Sequence, residues 1–429
     1  MASIIDRCAG SFSPRASSPR RRRALSASTR ILSLGPSFLR ARLSSTEAPQ
    51  IIEHVHKSLN YTPYETLWVP CSARFISCGI TTRAKGIIQV YELSHGAVEC
   101  VLEREKGGGI KCGTFGHSDF DNRTVALGDY GGVLNIWDLE RMDVPVYSAQ
   151  AHSSIVNAID GIGGLGIGGG APELVTGSRD GCVRVWDPRV PEPVVSLEPA
   201  EGQAVRDCWT VAFGNSFGDE RCVAAGYDNG DLKIFDLRAN AMRWETNLGN
   251  GITSVQFDRK DVEMNKCVVT TLESRFRIFD LRTQHAEEGF ASVTERAHKA
   301  TVWLSRHTPQ NRDLWMTGGG NGGFNLYKYN YPKVRVRARG APPFPLRRPR
   351  ARPSSRSPRS VLRRQSRSQT GKDNQPIGVA GSAELLNSRV ISTQPIVSFD
   401  WSPDREGLCV LSCLDQTLRV YICTKLNKI

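Results

Sequence analysis

The sequence has 429 residues, 39% hydrophobic, with twelve Cys, eight Trp and a net charge of +13. That length suits two or three domains unless repeats set the count, and no apolar run approaches the length that spans a bilayer. The charge is uneven: residues 1–48 carry +7 and residues 333–372 carry +14, which leaves the remainder at −8. A nucleic-acid reading of the whole protein therefore has little support, and only the two basic segments could carry one.

Residues 1–48 hold nine Arg, four of them as the run Arg20 to Arg23, with acids only at Asp6 and Glu47. The composition fits a disordered basic tail, an upstream translated stretch, or in outline a mitochondrial transit peptide. Residues 50–56 read as a strand. From there the chain repeats a pattern of three strands separated by turns. The third strand ends on an aromatic each time: Tyr91, Trp137, Trp186, Phe235, Phe279, Tyr327 and Tyr421. Their separations are 46, 49, 49, 44, 48 and 94 residues, the last lengthened by the basic stretch 333–372. A period slightly above 40 with four strands per unit is the pattern of a β-propeller. The chain thus predicts an all-β fold of seven blades over 50–429. Strand 50–56 is free to complete the last blade, which would remove the open edge of the ring.

The most regular repeat runs from 151 to 189. Thr176 lies ten residues before Trp186 and Asp180 six before it, with His152 at the start. This spacing resembles a complete WD repeat, which implies a buried structural tetrad of His152, Thr176, Asp180 and Trp186. The chemistry is consistent. A carboxylate fixes a His tautomer, the His bonds a hydroxyl, and the hydroxyl accepts from the indole N–H. A catalytic His152–Asp180 pair is disfavoured, because the other repeats fill these slots differently. The Asp slot reads Lys85, Gly131, Asn229, Glu273, Asn321 and Asp415, while His298 and Asp207 occupy the His slot of the sixth and fourth units.

Gly161 to Gly166 matches G-x-G-x-x-G. A dinucleotide site needs a helix to follow, whereas Ala171-Pro172 and another strand come next, so the run reads as a loop. Residues 333–372 are rich in Arg, Pro and Ser and cannot bury a core. They are expected to be a disordered insert before the last blade: a solvated loop, translated intron sequence, or an arm for RNA or an acidic partner. The cysteines show no metal-ligand spacing and read as free core thiols. No metal or cofactor is expected.

Several strings go beyond the general repeat: residues 50–72, Ile110 to Gly116, 157–168 with Ala171-Pro172-Glu173, Arg206 to Asn215, Phe257 to Asp261, Ala297 to Lys299 and Thr424 to Ile429. Together they resemble the Monad family of WD-repeat proteins, counted among the cytoplasmic assembly factors for axonemal dynein arms. The resemblance covers 50–332 and 374–429. It implies a monomeric, non-enzymatic scaffold in the cytoplasm. Its implied partners are a Reptin–Pontin co-chaperone complex, a prefoldin-like module and dynein subunits, with no membrane partner. The alternative is an RNA-associated protein that binds through its basic segments.

A propeller without a catalytic set binds through its faces. One slot, read beside the first inward aliphatic of each innermost strand, gives Trp68, Asn157, Trp209, Gln256 and Trp303 as upper-rim partner-binding candidates, with Arg306 nearby.

Overall fold

In a computed structural model, residues 48–119, 123–164, 171–202, 204–215, 221–285, 288–337 and 377–429 are described. The sequence expectations for 1–47, for 165–170 of the Gly-rich run and for 338–372 of the insert lie outside them. The described chain is almost entirely β-structure, with one short 3-10 turn at Leu426–Lys428. Seven four-stranded antiparallel sheets follow one another, each starting from an innermost strand. Those strands are Thr62–Trp68, Ile110–Thr114, Val156–Ile162, Cys208–Gly214, Ile252–Phe257, Val302–His307 and Ile396–Trp401. Each packs beside the next, and Ile396–Trp401 packs beside Thr62–Trp68, so the seven close a ring. This is the seven-bladed propeller that the aromatic period predicts.

The ring closes through strand exchange. The outer strand of the seventh blade is Ile51–Ser58, which pairs antiparallel with Thr417–Cys423. Residues from opposite ends of the propeller thus share one sheet, and Tyr421 donates its hydroxyl hydrogen to Glu53 across it. In the sixth blade the outer strand, Ser382–Val390, comes only after the insert. Inside the start of that insert, Val336–Arg337 pairs with Ile377–Gly378 just past its end.

The third-strand aromatics recur for a packing reason. Phe75 stacks on Tyr91 at 5.4 Å and sits with Val410 and Val420 of the neighbouring blade. Trp315 stacks on Tyr327 at 5.4 Å and meets Phe276 edge-on. Each aromatic seals a blade-to-blade seam, and such pairs add to the burial they bring. Eleven described cysteines are free, nine of them buried in these seams and sheets.

Two backbone devices recur in all seven blades. The first is a register shift within the first few residues of every innermost strand, as at Val156/Ala158 and Cys208/Thr210. The second is a left-handed residue in the turn from second to third strand: Ala84, Gly132, Gly181, Gly230, Ser274, Gly322 and Gln416. This residue marks the turn, and the position before it corresponds to Asp180. In the first blade that position is Arg83 rather than Lys85. Likewise Asp207 directly precedes its innermost strand, while His152 stands four residues ahead of Val156, so the two are not equivalent.

Candidate functional site

Strand Glu173–Ser178 carries Thr176 and strand Val183–Trp186 carries Trp186, while the preceding loop supplies His152 and the tight turn supplies Asp180. The structure brings all four together. His152 Nδ1 lies 3.1 Å from Asp180 Oδ2, His152 Nε2 lies 2.7 Å from Thr176 Oγ1, and Trp186 Nε1 lies 2.9 Å from the same oxygen. The carboxylate makes Nδ1 the protonated ring nitrogen. Nε2 then accepts from the threonine hydroxyl, which accepts in turn from the indole. Burial opposes the charge of Asp180. Even so, the hydrogen bond from His152 and those from Cys182 N and Ser153 N hold its carboxyl below the usual range. Every polar atom is engaged and Thr176 and His152 are buried, which suits a structural pin.

The sixth blade holds a reduced version. His298 Nε2 lies 2.8 Å from Thr317 Oγ1, with Tyr327 in place of Trp186 and Asn321 in place of Asp180. Burial lowers His298 to about 4, so its ring is neutral.

The six partner-binding candidates do not share one rim. Asn157, Trp209 and Trp303 occupy the second position of their strands, at the leading end where His152 and the tight turns lie. Trp68 is the last residue of its strand, and Gln256 and Arg306 are next to last, at the trailing end. The aliphatic residues beside them do not fall at one height: Val156 and Val302 open their strands, whereas Leu67 and Val255 stand toward the trailing end of theirs.

Burial narrows the set further. Trp68 is 3% exposed and packs edge-on against Phe75 at 5.2 Å, and Trp209 is 6% exposed. Both fill the protein's interior and offer a partner almost no surface. Asn157 Nδ2 donates to Cys208 O at 2.9 Å, and Gln256 Oε1 accepts from His307 N at 2.7 Å. These two side chains tie neighbouring blades. Arg306 faces the carboxyls of Glu65 and Asp400 and draws both down against their burial. Trp303 alone among the three tryptophans is partly exposed.

Gln256 belongs to a ladder that sequence reasoning did not foresee. Side chains of one innermost strand accept hydrogen bonds from backbone N–H groups of the next. Phe213 N donates to Asp160 at 2.9 Å, Trp68 N to Asp400 at 2.9 Å, Thr66 N to Ser398 at 2.9 Å and Val255 N to Thr210 at 3.1 Å. The only sequence signal was a short polar residue recurring at the third or fifth place of these strands. A second missed cluster lies between blades five and six. There the fully buried Lys266 meets Asp313 at 2.9 Å, Tyr331 Oη at 3.0 Å and Asp258 at 3.4 Å, while Arg312 reaches Asp258 at 2.8 Å. Among the described residues no group of His, Cys, Asp and Glu has the arrangement to hold a metal ion.

At the leading end, a cleft of about 360 Å³ opens between blades five and six, lined by the turn Leu272 to Arg275 and by Arg296 and Lys299 to Thr301.

The WD domain, G-beta repeat family matches residues 143–187, the stretch that contains the whole tetrad and ends just after its tryptophan. The chain is 54% identical over 388 residues to dynein axonemal assembly factor 10 of Xenopus laevis, covering 90% of this chain and 99% of that protein. It is 54% identical over 391 residues to the Homo sapiens protein of the same name, covering 90% and 100%. The Chlamydomonas reinhardtii protein of that name is 51% identical over 384 residues, covering 89% and 98%. Blades, tetrad and these likenesses agree: the chain belongs to the dynein axonemal assembly factor 10 family of WD-repeat proteins.

Proposed function

We propose that this chain is a non-enzymatic scaffold for the cytoplasmic preassembly of axonemal dynein arms. In this reading it works with a Reptin–Pontin-type co-chaperone complex and a prefoldin-like module, and it presents dynein subunits to them. The observation that carries the reading is likeness above 50% identity to curated dynein axonemal assembly factors along nearly their whole length. The engagement of the polar side chains supports it. His152 and Asp180 are engaged with each other inside the third repeat, and Asp160 and Asp400 accept hydrogen bonds from the next blade, and a fold by itself does not assign chemistry.

Affinity capture from ciliated-cell lysate tests it. The baits are the full chain and a form lacking 1–47 and 338–376, with nuclease treatment in parallel. The scaffold reading expects both baits to retain dynein chains and the co-chaperone ATPases. Retention of nuclease-sensitive partners by the full chain alone would replace it with an RNA-binding role for the basic segments.

A further inference from the structure

We infer that the cleft between blades five and six is a docking site for an acidic peptide segment of a protein partner. This deepens the scaffold reading and rests on it. Three exposed cations, Arg275, Arg296 and Lys299, line the cleft against one acid, Glu273. Arg275 and Arg296 are directly opposed on adjacent antiparallel strands. Like charges in that position repel and weaken the sheet. At the equivalent position the other six blades set no two charges against each other: the pairings there include Gly86–Lys106, Val133–Gln150, Asp231–Asn247 and Thr417–Ser58. No salt bridge to a described residue relieves Arg275, Arg296 or Lys299, and Arg296 reaches only the carbonyl of His298, at 3.3 Å.

A carboxylate placed between two opposed guanidinium groups would satisfy both in forked geometry. Trp303 adds an anchor at the cleft wall. Its partly buried indole lies over Gly320, next to Ala300 and Thr301 of the cleft wall. An aromatic with a polar tip together with Arg is the composition of an interface hot spot. The protein outside the two basic segments carries −8, which disfavours a long polyphosphate and leaves this cleft as a local exception suited to a short acidic segment.

The test uses the full chain and a fluorescein-labelled decapeptide of glutamate, read by anisotropy at 150 mM salt, with a ten-nucleotide dT oligomer as the second probe. Four proteins are compared: the native chain, the variants R275E/R296E and R296E, and R347E/R348E, which removes from the insert as much charge as the double variant removes from the cleft. Circular dichroism verifies that each is folded. The inference expects R275E/R296E to weaken peptide binding at least tenfold and R347E/R348E to change it less than twofold. The single variant R296E sets Glu opposite Arg275, and it should raise the melting temperature while it weakens the peptide. Peptide binding that survives R275E/R296E overturns the site, and so does dT binding tighter than peptide binding that depends on Arg275 and Arg296. Lysate capture of dynein chains by R275E/R296E separates the two ideas. Capture retained with peptide binding lost keeps the scaffold reading and removes this cleft as its dynein-docking surface.

Discussion

Thr176 is the smallest member of the tetrad and the one on which the other members converge. Its single oxygen donates to His152 Nε2 and accepts from Trp186 Nε1. Valine has nearly the same shape but neither capacity, so Thr176→Val strands an imidazole nitrogen and an indole N–H in a buried setting. A buried group left without a partner costs about 1–3 kcal/mol. The substitution should therefore lower stability by roughly 2–4 kcal/mol by urea unfolding. Trp186→Phe removes the indole donor as well. Combining it with Thr176→Val should cost less than the sum of the two single changes, because the shared bond is lost only once. Strict additivity would mean that the tetrad does not act as a unit. The tetrad was legible in sequence because its spacing is set by strand and turn lengths. Which tryptophans face solvent was not, since exposure depends on the neighbouring blade.

At the scale of the element, the seven tight turns and the seven innermost strands solve the same problem with different residues. Four turns place glycine at the left-handed position and three place Ala84, Ser274 and Gln416 there, with φ near +60°. A residue with a Cβ pays about 1–2 kcal/mol for that conformation, and glycine returns part of the gain as unfolded-chain entropy. Gln416→Gly should thus raise stability by roughly 0.5–1 kcal/mol in a urea titration. Loss of stability instead would show that Gln416 makes a contact worth more than its strain.

The innermost strands have an unpaired edge toward the channel, and the side-chain ladder covers it. Asp400 is the rung most sensitive to pH. Burial pushes its carboxyl up to about 7, although Trp68 N–H and Arg306 favour its charged form. The sign follows from linkage. A carboxyl that titrates higher in the folded state loses folding free energy as pH rises from about 4 toward 7. Asn keeps an oxygen for Trp68 N–H and carries no charge. Asp400→Asn should therefore raise the unfolding midpoint at pH 8 and leave it nearly unchanged at pH 4. An equal shift at both pH values would mean that the charge of Asp400 is not what burial penalises. The sequence hid this ladder because its residues are unremarkable Ser, Thr, Asp and Gln, identified only once neighbouring strands stand side by side.

The whole molecule depends on a seam that joins residues far apart in the chain. The aromatic period made the number of blades legible, and a last unit lacking a strand made the need for strand 50–56 legible too. The innermost strands carry no such marker residue, so aliphatics as unlike in position as Val156 and Leu67 were counted as one slot and the rim residues were misplaced in height.

Strand Ile51–Ser58 covers the edge of Thr417–Cys423 along its length, and Arg389 donates to Ile51 O and Arg419 pairs with Glu53 around it. Removing it would expose a full row of backbone donors and acceptors on a strand whose inward side chains are buried, which is the condition for edge-to-edge association. Each blade leans on two neighbours, so the loss should spread beyond the seventh blade. Deleting 1–58 should produce a chain that elutes as aggregate or fails to accumulate. Deleting only 1–47 should leave the melting temperature within about 2 °C of the full chain, a prediction that rests on the composition of that segment, rich in Arg and Ser with a net charge of +7. A milder change gives a quantitative reading. Tyr421→Phe removes the hydroxyl that donates to Glu53 across the seam and should cost about 0.5–1.5 kcal/mol. If the protein lacking 51–58 instead melts cooperatively at the full-length temperature, the ring is held by the seams between blades alone and the exchanged strand is dispensable.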